Sequence, residues 1–245
     1  MKIIKKLSAK SRELWNETPA AIAFLGDSVT QGCFELHMTG EKTFNTVFDS
    51  ESAYCTAVRK ILALLYPNVP VNIIRAGING GNAKAAVLRL ERDVLRFNPD
   101  LTVVCFGLND CNEGLEKLPE FTQQLDIIFD RLKDAGSEII YMTPNIMNTY
   151  VSCHLKDDYL RTLAENTAKI QNEGVLEQYI KAAKALCAQK NIPVCDCYGM
   201  WKTMLEGGVD TTDLLSNHIN HPVRQMHCLF AAELVKVMFK EQSDV

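Results

Sequence analysis

The sequence lacks long apolar runs and a strong charge of either sign. No segment approaches the roughly 20 consecutive apolar residues that span a bilayer. The N-terminal stretch MKIIKKLSAKSRELW has no apolar run of the length that a signal peptide needs. The net charge is only -4, and no basic run stands out. We therefore expect a cytoplasmic protein with no membrane partner and no nucleic-acid partner.

The sequence also lacks a Cys-x-x-Cys pair, although it contains nine cysteines. Their odd number, and the position of several inside apolar runs such as VVCF and PVCDC, indicate buried free thiols. A disulfide framework would be unusual in a reducing compartment, and a zinc site has little support. We expect no metal and no other cofactor.

What is present is the pattern of an ordinary globular chain. Hydrophobic residues make up 47% and charged residues 23% of the 245 residues. This length fits one domain over residues 1–245, with a core from about 20 to about 240. Continuous apolar runs, typical of strands covered on both faces, lie at residues 20–25, 71–75, 101–106, 138–143 and 192–196.

Helical spacing of apolar residues alternates with these runs. The predicted helices cover residues 52–65, 83–97, 119–135, 176–189 and 222–240, and the last has a proline in its first turn. Strands that alternate with helices imply a parallel sheet with right-handed crossovers. The fold class predicted is α/β, in the form of a doubly wound, flavodoxin-like sandwich.

Two segments, residues 31–50 and 145–173, fit neither pattern. We expect the first to form a long loop after the first strand and the second to follow the fourth strand. Loops of this length in a compact domain tend to be functional or mobile. Both would lie at the carboxyl ends of strands, where open α/β sheets bind ligands.

The tripeptide Gly26-Asp27-Ser28 directly follows the first apolar run. A serine at the end of a strand is exposed at the ligand edge of the sheet, as a nucleophile must be, and it needs a base to take its proton. The G-x-S-x-G elbow is absent, because position 30 is Thr. Taken alone, such a tripeptide is more often a polar turn.

Two further motifs follow the next two strands. The glycines of GINGGN, residues 77–82, allow a positive φ or a close backbone approach, and a plain turn or a phosphate-binding loop would use them equally. The third strand is followed by GLND, residues 107–110. Its Asn109 could donate to a developing oxyanion or simply form an Asn-Asp turn.

A fourth motif, His221-Pro222, opens the last predicted helix. A histidine near a serine is the usual general base. The other histidines are weaker candidates, because His37 and His154 are expected to be solvated and His227 to be structural. The four motifs together place one nucleophile, two oxyanion donors and one base at one sheet edge, which is the equipment for acyl transfer.

In these motifs the sequence resembles the SGNH hydrolases, or GDSL-type esterases. Ser28 within GDSVTQG, Gly80 within AGINGGNA, Asn109 within FGLND and His221 within NHP match that family's blocks I, II, III and V. The resemblance extends from residue 20 to about 235. It implies a three-layer α/β/α fold and a metal-free serine acyl-enzyme mechanism. The oxyanion would be held by the Ser28 and Gly80 N–H groups and the Asn109 side chain.

The sequence departs from that family at one position. The family pattern D-x-x-H-P has an acid three residues before the histidine, where this chain has His218. A triad needs an acceptor at Nδ1 of the base, and His218 cannot supply a negative charge. Asp213 is our candidate for the catalytic acid. Asp210, a backbone carbonyl in the same loop, and a Ser–His dyad remain open.

The expected function is therefore that of a serine esterase acting on a small-molecule, short-chain carboxylic ester. Neither a hydrophobic lid nor a membrane-binding helix is evident, which argues against a long-chain lipase. The preferred substrate carries a short acyl group, such as an acetyl group on a sugar or similar small metabolite. One alternative is a nucleotide- or phosphate-binding module without esterase activity, for which residues 77–82 are the only support. Another is a catalytically weak or inactive relative that only binds a ligand.

Overall fold

A central parallel sheet organises the computed structural model, which describes residues 1–240. The strands are β1 (Ala20–Gly26), β2 (Cys33–Gly40), β3 (Thr43–Phe48), β4 (Val71–Gly77), β5 (Leu101–Cys105), β6 (Glu138–Met142) and β7 (Val194–Cys195). Five of them form the sheet in the order β4-β1-β5-β6-β7, with every neighbouring pair parallel. This is the flavodoxin-like order, so the predicted α/β fold class is confirmed.

Helices cover both faces of the sheet. They are α1 (Lys2–Arg12), α2 (Ser28–Gln31), α3 (Tyr54–Leu65), α4 (Ala83–Asp93), α5 (Leu118–Asp134), α6 (Asp158–Asn172), α7 (Val175–Gln189), α8 (Cys197–Glu206) and α9 (Arg224–Phe239). The helix α3 packs against α9, while α5 packs against both α4 and α7. Every helix within residues 1–240 is too short or too polar to cross a bilayer.

The inner strands of the sheet are continuously apolar because they are buried on both faces. All five residues of β5 are buried, and six of the seven residues of β1 are. Ring contacts such as that of Phe24 with Tyr54 fill the space between sheet and helices. Burial of this kind supplies most of the folding free energy of an α/β domain.

The register of strand pairing aligns the carboxyl ends of three neighbouring strands. Gly26 at the end of β1 pairs with Gly77 of β4 on one side and with Cys105 of β5 on the other. The chain therefore leaves all three strands at the same edge of the sheet. The strand order reverses between β1 and β5, which is the place where open α/β sheets bind ligands.

The structure corrects three local predictions. Residues 31–50 are not a loop, because β2 and β3 pair there as an antiparallel hairpin. Much of 145–173 is the helix α6, whose N-cap is the Asp157 carboxylate. Pro222 is not in the last helix: it forms an isolated bridge with Leu215, and α9 starts at Arg224.

Candidate active site

Ser28 begins a helix of one turn at the end of β1. The Asp27 carboxylate caps this turn by accepting the Val29 N–H at 2.9 Å, and Gly32 ends it in the left-handed conformation, with φ 88. The turn stands directly on β4, since the Gln31 and Thr30 backbone lies over Gly77. The Ser28 side chain is thereby fixed at the carboxyl edge of the sheet.

His221 reaches Ser28 from the loop before α9. The Asn217 side-chain oxygen accepts the N–H groups of residues 219, 220 and 221 at 2.9–3.0 Å, which fixes the loop. The Ser28 hydroxyl donates to Nε2 of His221 across 3.0 Å. Both side chains are buried, at 2% and 4% exposure. Burial lowers the pKa of His221, which keeps the imidazole neutral and able to accept a proton.

The other ring nitrogen of His221 contacts the backbone of the hairpin. Its Nδ1 lies 2.8 Å from the Phe34 carbonyl oxygen, so Nδ1–H donates there and Nε2 is free to accept. This hydrogen bond, and next the negative charge of Glu35, oppose the lowering of the His221 pKa. The acceptor thus comes from β2 and not from the loop that carries His221.

Neither candidate acid is brought to His221. Asp213 is 57% exposed, and its carboxylate lies 3.9 Å from Nδ1 of His218. Asp210 instead accepts the hydroxyl of Tyr150 at 2.7 Å. The structure therefore does not place Asp213 in a triad, because the position beside Nδ1 of His221 is taken by the Phe34 carbonyl.

Gly80 and Asn109 lie on the same cavity as Ser28 and His221. Gly80 has φ 72, and a Cβ there would meet nothing within 4 Å, so its exposed backbone faces open space. One N–H of the Asn109 amide donates to the Gly81 carbonyl at 2.9 Å. This bond orients the side chain and leaves the second amide N–H available.

Asp110 holds the two loops together behind these residues. One carboxylate oxygen accepts the Ala83 N–H at 2.8 Å and the other the Gly107 N–H at 2.9 Å. Asn82 accepts the Ala85 N–H at 2.9 Å. Side chains thus already occupy two of the first N–H groups of α4, which argues against a phosphate-binding loop at residues 77–82.

The cavity has a volume of about 650 Å³. Both segments that the sequence left without a pattern form its walls. The hairpin and α6 contribute Leu36, Phe44, Thr46, Asn166, Lys169 and Ile170. Amide side chains are frequent around it: Asn79, Asn109, Asn112, Asn166, Asn217 and Asn220. Such a lining combines apolar surface with many hydrogen-bonding groups.

The remaining histidines lie outside this arrangement. His37 and His154 are exposed, and His154 stacks on His218 with ring centroids 5.1 Å apart. His227 is buried, and its Nδ1 accepts the Tyr54 N–H at 3.1 Å. Within residues 1–240, no group of three or more His, Cys, Asp or Glu side chains is arranged to hold a metal ion.

Two groups near His221 were not predicted from the sequence. A backbone carbonyl such as that of Phe34 has no residue-type signature, and its place depends on the hairpin. Asn217, which ties the loop, sits in the run Ser-Asn-His-Ile-Asn-His-Pro. The Asn217 side chain accepts N–H groups from residues two to four positions ahead, which is a turn pattern typical of asparagine. This asparagine was the one sign in the sequence that the loop before His221 is fixed by a side chain.

Comparison with known proteins adds a family and a set of relatives. The GDSL-like lipase/acylhydrolase family model matches residues 24–227. An acetylxylan esterase of Geobacillus stearothermophilus is 24% identical over 194 residues, which cover 76% of this chain and 79% of that protein.

Solved structures share the fold at low identity. The crystal structure of an acetylxylan esterase from Geobacillus stearothermophilus matches with a TM-score of 0.65 and 21% identity, covering 91% of this chain and 95% of that one. A two-domain esterase active on acetylated mannans matches with a TM-score of 0.66 and 18% identity, over 99% of this chain and 56% of that one.

Proposed function

This chain belongs to the GDSL-like lipase/acylhydrolase family and is a carboxylic-ester hydrolase, and from that premise we propose that Ser28 and His221 form its catalytic dyad. The observation that carries the proposal is the 3.0 Å contact between the Ser28 hydroxyl and Nε2 of His221 on the wall of a cavity of about 650 Å³. The Phe34 carbonyl takes the orienting position that a carboxylate has in a triad.

In the proposed mechanism, Nε2 of His221 accepts the Ser28 proton while Oγ attacks the ester carbonyl carbon. The resulting oxyanion receives hydrogen bonds from the Ser28 and Gly80 N–H groups and from the Asn109 amide. His221 then gives its proton to the leaving alcohol, and an acyl-enzyme remains. Water, deprotonated by the same nitrogen, then attacks the acyl carbonyl. As the bond from the acyl carbon to Oγ breaks, Nε2 returns this proton to Oγ, so that the carboxylic acid leaves and the free Ser28 hydroxyl is restored.

We propose acetylated sugars as the substrates. The relatives described above are named as acetylxylan esterases or as active on acetylated mannans, which supports this class for the present chain. The asparagine-rich lining of the cavity also supports it, because amide groups both donate and accept hydrogen bonds, as sugar hydroxyls require. The apolar side chains of Leu36, Phe44 and Ile219 offer surface for the faces of sugar rings.

The test compares the wild type with Ser28→Ala on p-nitrophenyl acetate, longer acyl esters and acetylated xylo-oligosaccharides. We expect turnover to fall by at least roughly 10⁴-fold in Ser28→Ala, and labelling by a fluorophosphonate to disappear. Ser137→Ala is the matched control, since Ser137 is also buried but hydrogen-bonds Thr102. Full turnover by Ser28→Ala would refute the dyad, and a preference for long acyl chains would refute the substrate class.

A further inference from the structure

Arg224, the first residue of α9, bridges to both ends of the β2–β3 hairpin. Its guanidinium contacts the Glu35 carboxylate through two nitrogens, at 2.5 and 3.1 Å. Its Nε donates to the Asp49 carboxylate at 2.9 Å. Glu35 lies near the start of β2, and Asp49 directly follows β3. One planar fork therefore ties together the two points where the hairpin joins the rest of the chain.

The same guanidinium packs on Phe34. Its central carbon lies 4.3 Å from the centre of the Phe34 ring, within the range of a cation–π contact. The ring of His227 packs against Phe34 as well, with centroids 4.9 Å apart, and Phe34 is fully buried. The Asp49 N–H donates to the Gly32 carbonyl at 2.8 Å, which closes the base of the hairpin.

We propose that Arg224 is a positioning residue that holds the Phe34 carbonyl against Nδ1 of His221. The proposal rests on the proposed function of Ser28 and His221. No hydrogen bond within residues 1–240 joins Arg224 to either of these residues, so its effect passes through Phe34 and the hairpin. By fixing the Phe34 carbonyl, Arg224 orients the imidazole of His221, as a carboxylate beside the catalytic histidine does in a triad.

The exposure of the hairpin explains why its ends must be held by Arg224, an interaction with Glu35 and Asp49 that we call the clamp. Beyond Leu36 the residues of β2 are exposed or half-buried, and so is every residue of β3. The Phe34 carbonyl lies where this exposed hairpin joins the rest of the chain. It can orient the imidazole of His221 only if that end of the hairpin is held in place, because a misplacement of about 1 Å is costly in catalysis.

Charge and geometry make opposite predictions for Arg224. A positive charge near His221 disfavours the imidazolium that forms during catalysis, so on charge alone its removal would speed the reaction. The two paired carboxylates offset this charge. The planar fork and the ring contact are features of arginine that lysine does not reproduce. A loss of activity in both Arg224→Ala and Arg224→Lys is therefore the signature of positioning.

The experiment measures kcat and KM on p-nitrophenyl acetate at a temperature at which circular dichroism shows each variant to be folded. We expect kcat to fall by roughly 10²-fold in Arg224→Ala and by more than about tenfold in Arg224→Lys, with KM changed by less than about threefold. Arg75→Ala is the matched control. Its side chain is also 36% exposed, pairs with Glu51 and hydrogen-bonds Thr56, and we expect it to keep the wild-type kcat.

A spectroscopic readout separates positioning from a purely structural role. In the wild type, ¹⁵N NMR of His221 should show the neutral imidazole with its proton on Nδ1. In Arg224→Ala the two tautomers should mix. Wild-type kcat and an unchanged tautomer in Arg224→Lys would overturn the proposal, even if Arg224→Ala did not fold. Ser28→Ala, assayed alongside, separates the two failures. Activity in Ser28→Ala would refute the dyad on which the proposal rests, whereas an inactive Ser28→Ala with wild-type kcat and tautomer in Arg224→Lys would refute the role of Arg224 alone.

Discussion

At the scale of single residues, the partner of the catalytic base sets this site apart. The Phe34 carbonyl can select the tautomer of His221, but it offers a dipole where a carboxylate would offer a full charge. Glu35, whose charge acts on the pKa of His221, already pairs with Arg224. We therefore expect the reaction to depend strongly on His221 and weakly on the acids of its own loop.

This expectation is tested with three variants of the loop before α9. Asp213→Asn and His218→Ala should each keep kcat/KM within about threefold of the wild type, whereas His221→Ala should lose roughly 10⁴-fold. The reason is that Asp213 is exposed and lies nearest to His218, not to His221. The measurement is steady-state turnover of p-nitrophenyl acetate. A large loss in Asp213→Asn would restore Asp213 as the orienting acid.

Much of the candidate site could be predicted from the order of motifs in the sequence. Ser28, Gly80 and Asn109 each follow a strand, and the carboxyl ends of parallel strands meet at one edge. The structure places all three with His221 on one cavity. The Phe34 carbonyl could not be predicted, because any residue carries a carbonyl and only the pairing of the hairpin determines where this one points.

At the scale of elements, the contact between β4 and α2 is unusually close. A Cβ on Gly77 would lie 2.4 Å from the Gln31 nitrogen, 2.7 Å from the Thr30 carbonyl carbon and 2.9 Å from the Asp27 oxygen. All three atoms belong to the backbone of the turn that carries Ser28. A side chain at position 77 must therefore move either the strand or the turn.

We expect Gly77→Ala to lower the free energy of unfolding by about 3 kcal/mol and to reduce kcat, because α2 shifts. Gly80→Ala is the matched comparison. Its φ of 72 makes alanine cost about 1 kcal/mol. The space around Gly80 is free of protein atoms, so alanine displaces nothing in the folded chain, and this comparison concerns stability alone. Urea denaturation checks both variants, a steady-state assay checks Gly77→Ala, and equal losses of stability would contradict the argument.

The inner strands β1, β5 and β6 were predictable because nearly all of their residues are buried, and the edge strand β4 because its short run VNIIR is rich in isoleucine and valine. Continuous apolar runs at 20–25, 71–75, 101–106 and 138–143 became strands with ends within two residues of those predicted. The hairpin was missed for the converse reason. Its strands Cys33–Gly40 and Thr43–Phe48 are largely exposed and carry mixed polar residues, so they show neither a continuous nor an alternating apolar pattern.

At the scale of the whole molecule, buried ionisable groups of opposite type make stability depend on pH in opposite directions. Burial lowers the pKa of His227 to about 3 from its usual 6.5. Between these values the unfolded state binds more protons, so His227 removes stability as the pH falls through this range. Burial also lowers the pKa of His221, which acts in the same direction.

Two buried carboxyl groups act against the histidines. Burial raises the pKa of Asp27 from 3.8 to about 7, although the Val29 N–H bond opposes the shift. Burial likewise raises the pKa of Asp110 to about 6. The folded state binds more protons than the unfolded state below these values, so stability is lost as the pH rises from about 4 to about 7. The contributions of opposite sign overlap between about pH 4 and pH 6.5.

Replacing one of these buried groups should therefore remove its contribution to the pH dependence of stability and leave the opposite contribution of the others. Asn at position 27 can still cap α2, but it cannot ionise. The stability of Asp27→Asn relative to the wild type should rise by roughly 4 kcal/mol between pH 4 and pH 8, since about three pKa units are removed. His227→Asn keeps an acceptor for the Tyr54 N–H. It should show the opposite sign, with a relative stability that rises as the pH falls from 7 to 4. Urea denaturation of the three proteins at each pH measures these differences. A relative stability of Asp27→Asn that is the same at pH 4 and pH 8 would show that Asp27 ionises in the folded protein as it does in the unfolded chain.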